Sequence, residues 1–315
     1  MGFDEMREAG DVDTVWMDGE FVDWDDAQVH VLTHGLHYGT GIFEGVRCYD
    51  TEDGPAIFRW EEHLDRFYAS GKPYNLDIPF DREELTEATK ELIRRQELPS
   101  CYIRPVAYYG YDMLGLSPET CPEQVAIAVW PWGAYLGEDA LEEGVEVTVS
   151  SWRKYASSQI PTNAKTTGPY VNSVLASLEA KREGYTEALL LNEAGNVAEG
   201  PGENLFLVRD GEIYTPGLAE GILDGITRNT VITLAREQGY TVHDDATISR
   251  GELNTADELF FSGTAAEVTP IRQVDNVTIG EGTRGPVTTD IQQAFFDLVE
   301  RRTDEHADWF TYVDV

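Results

Sequence analysis

The chain has 315 residues, enough for one or two domains, and its 41% apolar content with 7 Trp, 15 Tyr and 12 Phe excludes an intrinsically disordered polymer. Its 23 basic and 58 acidic residues leave a net charge of −35, which disfavours nucleic-acid backbones and anionic membranes as partners. The acids are spread from Asp4 to Asp314, and only Lys72, Lys90, Lys154, Lys165 and Lys181 are lysines. Such a surface suits concentrated salt, where the screening length falls to about 3 Å at 1 M. A halophile's cytoplasmic protein is the expectation.

In chain order, Asp18-Gly19 between apolar pairs predicts a two-residue hairpin. A helix is expected over 61–76 and another from Asp81, where Asp81-x-x-Glu84 has the form of a capping box. Strands follow at Tyr102–Tyr109 and Gln124–Trp130. This part, residues 1–130, mixes helices with neighbouring strands, which predicts an α+β class. The glycines after Pro131 place a linker at 131–142. The remainder, 143–315, should hold strands at Val145–Ser151, Glu187–Leu191 and Asn204–Val208, the last turning through Asp210-Gly211 into Ile213-Tyr214. Helices are predicted at 227–238 before Gly239, at Ser249-x-x-Glu252 and at 287–302, with a buried strand at Glu258–Ser262.

Cys48, Cys101 and Cys121 are widely spaced and form no C-x-x-C pair, so zinc ribbons and disulfide scaffolds are disfavoured. The start of the chain has no signal-peptide pattern, and the longest apolar run, 125–132, is too short to cross a bilayer. His30, His34 and His37 lack a carboxylate or thiol at ligand spacing; they read as structural, and no metal is expected.

Chemistry concentrates in four segments. Tyr155 to Leu178 carries a single charge, Lys165. Uncharged surroundings lower a lysine's pKa and keep its amine nucleophilic, as Schiff-base chemistry requires. On local composition alone, a loop lysine reaching solvent is the favoured alternative. The other lysines sit among charged neighbours or on faces expected to be exposed. In Glu199-Gly200-Pro201-Gly202-Glu203-Asn204, Glu199 lies at a core edge where it needs a cation or N–H partner, and it reads equally well as a turn acid. Gly221-Ile222-Leu223-Asp224-Gly225-Ile226-Thr227-Arg228 leads into a helix whose N-terminus suits a phosphate, and Ser262-Gly263-Thr264-Ala265-Ala266-Glu267 is a second anion-type turn. A reactive lysine, a buried acid and two phosphate-type turns together match the needs of pyridoxal phosphate.

The chain resembles the branched-chain amino acid aminotransferases of the fold type IV pyridoxal phosphate group. The resemblance runs through His34-Gly35-Leu36-His37-Tyr38-Gly39-Thr40-Gly41-Ile42-Phe43-Glu44-Gly45-Val46-Arg47, His63-Leu64-Asp65-Arg66, Tyr102-Ile103-Arg104-Pro105, Asn163-Ala164-Lys165, the Glu199 and Gly225-Ile226-Thr227-Arg228 segments, and the Ser262 turn. It reverses the reading of Lys165 as an ordinary loop residue. It implies two domains, a smaller α/β N-terminal one and a larger cofactor-binding one with a barrel-like core and flanking helices.

By that resemblance Lys165 is the catalytic, imine-forming lysine, and Glu199 pairs with the pyridinium nitrogen. Tyr170 meets the phenolic oxygen. Arg66, Leu223, Ile226, Thr227 and Thr264 complete the cofactor site. Phe43, Gly45, Tyr38, Trp132 and Tyr135 would line the substrate pocket, with Tyr102 and Arg104 serving L-branched-chain specificity and glutamate, and Thr264-Ala265 the α-carboxylate. Met113 would reach a partner subunit, implying at least a homodimer. The implied reaction moves the amino group of L-leucine, L-isoleucine or L-valine to 2-oxoglutarate, so amino acids and 2-oxo acids are the partners. A D-amino acid or R-selective amine transaminase and an aminodeoxychorismate lyase share the fold group and compete. A non-catalytic acidic binding protein is the alternative of another class.

The acidic surface carries a direct prediction: the melting temperature should rise steeply with potassium chloride and structure should be lost on dilution. A salt-independent melting temperature would contradict it.

Overall fold

The structure is a computed structural model that describes residues 2–9, 12–133, 135–137 and 139–313. It belongs to the α+β class and divides into two compact units: the described residues of Met1–Trp132 with Ala164–Gly168 and Val299–Val315, and those of Gly133–Asn163 with Pro169–Leu298. Of the expected linker, Ala134 and Glu138 lie outside the described residues, and Ala140–Glu143 is a short helix.

The first unit is built on an 8-stranded sheet. Its order is Phe310–Tyr312, Ala56–Phe58, Val46–Tyr49, Cys101–Tyr109, Glu123–Trp130, Thr14–Met17, Glu20–Asp23, with Gly41–Phe43 also pairing along Cys101–Tyr109. Every pairing is antiparallel. The expected hairpin forms at Asp18-Gly19, both with positive φ, the twist that a two-residue turn shares with its strands. Helix Arg82–Arg95 starts on the Asp81/Glu84 capping box. Helix Trp60–Gly71 ends earlier than expected, because Pro73 cannot continue it and the chain tightens into the 3₁₀ turn Lys72–Tyr74. Trp60, Phe67, Leu64, Leu92 and Ile103 fill the core beneath, each worth about 1.5–3 kcal/mol of burial. Phe310–Tyr312 lies in this unit rather than with 143–298 because it pairs with Ala56–Phe58.

The second unit closes on itself. Val197–Glu199 pairs with Glu187–Leu191, which pairs with Val145–Arg153, then Glu267–Val274, Glu258–Gly263 and Asn204–Arg209. The last of these returns to Val197–Glu199 at Glu199↔Asn204 and completes the barrel. Glu212–Pro216, Val242–Ala246 and Val277–Thr278 extend it. Leu189, Leu205, Leu259, Phe261 and Ile271 are among the apolar side chains buried in this unit. Helices Tyr170–Arg182, Ile226–Glu237 and Pro286–Val299 flank it. Among the described residues no helix is long and apolar enough to cross a membrane.

One close approach fixes where Lys165 lies. Gly39 has φ +63°, and a Cβ there would stand 2.5 Å from the Gly168 Cα. Two glycines therefore let the 164–168 segment cross residue 39 backbone to backbone. Gly39→Ala should lower stability by about 1–3 kcal/mol in urea titrations. Gly251→Ala, in a helix with open space around it, should leave stability equal or higher. Equal effects of the two substitutions would contradict this account.

Candidate active site

In the first unit, the segment holding Lys165 crosses Gly41–Phe43 in an antiparallel sense through one isolated bridge. Phe43 N donates to Lys165 O at 3.1 Å, Thr167 N to Gly41 O at 2.9 Å, and the Ile42↔Thr166 bridge lies between. Lys165 N donates to Ser70 Oγ at 2.9 Å, tying the same segment to helix Trp60–Gly71. Alternation across the antiparallel bridge turns Thr166, 1% exposed, one way and Lys165 the other. Lys165 Nζ stands 4.9 Å from the Phe43 ring centroid. Its pKa falls from 10.5 to about 8, chiefly through burial and then through the Arg66 cation, against the opposing pull of Glu44. The amine is therefore far more nucleophilic at neutral pH than an exposed lysine.

Glu44 organises the charges around it. The Arg66 fork meets its carboxylate at 2.7 and 2.8 Å, and His63 Nδ1 stands 2.7 Å from Oε2. His63 and Arg66, three apart on one helix, reach the same acid. Burial pushes the Glu44 carboxyl up, yet Arg66 and His63 outweigh it and hold it well below the usual carboxylate range. Burial likewise draws His63 below its ordinary value against Glu44's pull, so its Nδ1–H donates as a neutral ring.

The aromatic residues expected around the substrate gather nearby. A Cβ on Gly45 would stand 1.9 Å from the Tyr102 hydroxyl, so only glycine fits beside that group. The Arg104 guanidinium lies 4.9 Å from the Phe43 centroid and 5.3 Å from that of Tyr102, and Trp132 packs on Tyr102 at 4.9 Å. Arg104 Nη2 donates to Tyr102 Oη at 3.4 Å, and among the described residues its buried Nε has no hydrogen-bond partner. Tyr38 and Met113 are exposed, and Tyr38 Oη donates to Leu114 O at 3.2 Å. His34 is fully buried, with Nε2 donating to Gly115 O at 2.8 Å and Nδ1 accepting from Thr40 Oγ1 at 2.7 Å.

In the second unit, Glu199 ends one strand of the hairpin whose partner begins at Asn204. Its Oε2 accepts from Leu223 N at 2.9 Å and Asn204 Nδ2 at 3.2 Å, and its Oε1 meets Lys154 Nζ at 2.5 Å. Lys154 corrects the expectation that it lies on an exposed face: it is 6% exposed. Lys154 N donates to Leu191 O at 2.9 Å, which prolongs the parallel pairing with Glu187–Leu191 and buries the side chain against an acid far along the chain. Ile226 and Thr227 open helix Ile226–Glu237 after Gly225, so the positive end of the helix dipole lies at these two residues. Thr264 and Ala265 occupy the turn between Glu258–Gly263 and Glu267–Val274. Just before it, Ser262 Oγ is fully buried without a hydrogen-bond partner among the described residues. Tyr170, half-buried, begins helix Tyr170–Arg182, and Tyr135 is exposed.

Four of these residues carried no assigned role in the sequence: Glu44, His63, Lys154 and Asn204. Glu44, an acid set between Phe43 and Gly45 in an uncharged stretch, was the available signal. The charges predict a titration. In competitive acylation of the cofactor-free protein, Lys165 should react with a midpoint near 8 rather than 10.5. Glu44→Gln removes an anion that favours the ammonium, so the midpoint should fall further. A rise, or a wild-type midpoint near 10.5, would contradict the arrangement.

Residues 41–274 match the model of the family described as Amino-transferase class IV. A branched-chain-amino-acid aminotransferase of Pseudomonas aeruginosa is 51% identical over 299 residues, 95% of this chain and 97% of that protein. The crystal structure of the Escherichia coli branched-chain amino acid aminotransferase superposes with a TM-score of 0.93 at 47% identity, covering 96% and 99% of the two chains. The crystal structure of a branched-chain aminotransferase from the thermophilic archaeon Thermoproteus uzoniensis, with norvaline, superposes with a TM-score of 0.90 at 42% identity and the same coverage. A further branched-chain amino acid aminotransferase, 48% identical with a TM-score of 0.91, was crystallised in complex with N-(5'-phosphopyridoxyl)-L-glutamate. The chain belongs to the class IV aminotransferases.

Proposed function

We propose that the protein is a branched-chain-amino-acid transaminase that uses pyridoxal 5'-phosphate and moves the amino group of L-leucine, L-isoleucine or L-valine to 2-oxoglutarate. One observation carries this reading: the Lys165 amine, with its pKa lowered to about 8, and the Arg104 guanidinium both lie 4.9 Å from the Phe43 ring. That combination offers a nucleophile, an apolar wall and a carboxylate receptor from a single scaffold.

The residues present suit the cofactor. The amine of Lys165 is reactive near neutrality. Glu199 is a buried acceptor fixed by three donors. Arg66, the N–H groups opening helix Ile226–Glu237, and the hydroxyl-bearing turn at Thr264, next to the orphaned Ser262 Oγ, supply anion ligands. When bound, pyridoxal phosphate supplies an electron sink for the substrate's Cα–H bond. Lys165 Nζ would hold the cofactor and would take and return the substrate's Cα proton. Glu199 would accept from the ring nitrogen, Tyr170 would meet the phenolic oxygen, and Leu223 would complete this part of the cofactor site. Phe43, Tyr38, Trp132 and Tyr135 offer apolar faces to a branched side chain, with Gly45 making room for the Tyr102 hydroxyl. Arg104 receives the distal carboxylate of glutamate and 2-oxoglutarate, and Thr264-Ala265 the α-carboxylate.

The same reading makes the protein at least a homodimer. Hydrogen bonds from His34 to Gly115 O and from Tyr38 to Leu114 O hold 30–38 against 111–116. Val31, Leu36, Met113, Leu114 and Leu116 are exposed there, the last at 85%. Apolar exposure of that extent on so acidic a chain suits burial by a second copy, with Met113 at the junction. A cytoplasmic, salt-adapted enzyme fits the 58 acidic residues.

The test is an amino-donor profile in high salt. L-leucine, L-isoleucine and L-valine should react with 2-oxoglutarate, while D-alanine, R-amines and aminodeoxychorismate should not. Lys165→Ala should abolish turnover. Arg104→Leu removes a charged hydrogen-bond donor, about 1.5–3 kcal/mol, so KM for 2-oxoglutarate should rise ~10- to 100-fold, and KM for leucine much less. Preference for D-alanine or an R-amine, or turnover without Lys165, would overturn the reading.

A further inference from the structure

The buried ion pair in the second unit has a consequence for the ring nitrogen. Glu199 Oε2 has both of its acceptor positions taken, by Leu223 N at 2.9 Å and Asn204 Nδ2 at 3.2 Å. Oε1 has one donor among the described residues, Lys154 Nζ at 2.5 Å, and keeps one acceptor position open. On the reading that Glu199 meets the cofactor's ring nitrogen, Oε1 is the oxygen that does so, and it is the oxygen held by an ammonium. The ammonium is itself sealed in, 6% exposed and 4.4 Å from the Tyr155 ring centroid.

Arg228, a second cation of this unit, also feels Glu199 electrostatically. Its guanidinium is turned away, to Pro216 O at 3.1 Å, Asp244 O at 2.5 Å and Thr215 Oγ1 at 3.3 Å. Lys154 is thus the cation in contact with this carboxylate. Asn204 fixes the opposite oxygen and is itself tied to Leu223 O at 3.0 Å, so the carboxylate has little freedom to rotate.

We propose that Lys154 is a positioning residue that keeps the proton shared between Glu199 and the ring nitrogen on the nitrogen. The physical reason is distance. A proton can rest on the acid, leaving the ring neutral, or on the ring, leaving a carboxylate and a pyridinium. An ammonium in contact with the carboxylate stabilises the second arrangement, because it lies nearer to the negative charge than to the positive one. The burial of Lys154 strengthens the bias, since neither charge is shielded by water. The ring's capacity as an electron sink depends on that proton, so Lys154 would set the strength of the sink without touching the substrate. Burial opposes charge on Lys154, yet Glu199 first and the Tyr155 and Tyr170 hydroxyls after it raise its pKa above the ordinary value, so it stays an ammonium.

The experiment reads the ring nitrogen directly, by the ¹⁵N chemical shift of ¹⁵N-labelled pyridoxal phosphate bound to the full-length protein. Wild type should give a pyridinium shift, Lys154→Met should move it toward free pyridine, and Lys154→Arg should restore it. Lys154→Gln keeps a hydrogen-bond donor and loses the charge, so it should behave as the Met variant does and serves in its place if that variant fails to fold. Alongside, kcat should fall about tenfold or more in the uncharged variants with KM for leucine nearly unchanged. A pyridinium shift in both uncharged variants would overturn the proposal. A wild-type nitrogen that is unprotonated, or one that Glu199→Gln leaves unaltered, would instead sink the pairing of Glu199 with the ring.

Discussion

A lysine amine serves as a nucleophile near neutral pH only where its charged form is penalised, and the first unit is arranged to impose that penalty on Lys165. Burial does most of it and the Arg66 cation adds to it. Both depend on the backbone: the 164–168 segment must lie flat on Gly41–Phe43, and the crossing of Gly168 over Gly39 permits no side chain. Sequence, local pairing and reactivity are linked at that contact, because a Cβ at the crossing would lift the segment and with it the amine.

The buried carboxylates complete the electrostatic design. Glu44 holds Arg66 in a two-point grip and takes a proton donor from His63, so the cation near the amine has a fixed place. Glu199 is held by Lys154, Asn204 and the Leu223 amide. Removing one partner from such a group leaves an uncompensated buried charge, costing about 3–5 kcal/mol. These acids are therefore distinct from the many exposed acids that give the chain its negative charge.

Local signals in the sequence were legible because they act within a few residues. The hairpins at Asp18-Gly19 and Asp210-Gly211 and the capping boxes at Asp81 and Ser249 all formed. The extent of helix Tyr170–Arg182 is not legible in the sequence, since it inverts the usual pattern: Ser173, Ala176 and Ala180 face inward while Val171, Val174 and Leu178 are exposed. Barrel closure was expected from resemblance alone, because the Glu199↔Asn204 contact and the parallel pairs of Val145–Arg153 join strands whose order no local pattern encodes. Lys154 was misread for the same reason. Trp152, Arg153 and Lys154 look like one exposed stretch, and the burying partner is visible only once the sheet has closed.

The most direct measurement is reduction of the cofactor-loaded protein with borohydride, followed by peptide mapping. The account predicts a phosphopyridoxyl label on the peptide containing Lys165 and on no other lysine peptide. A label on Lys154 or any other lysine, or no label, would contradict it.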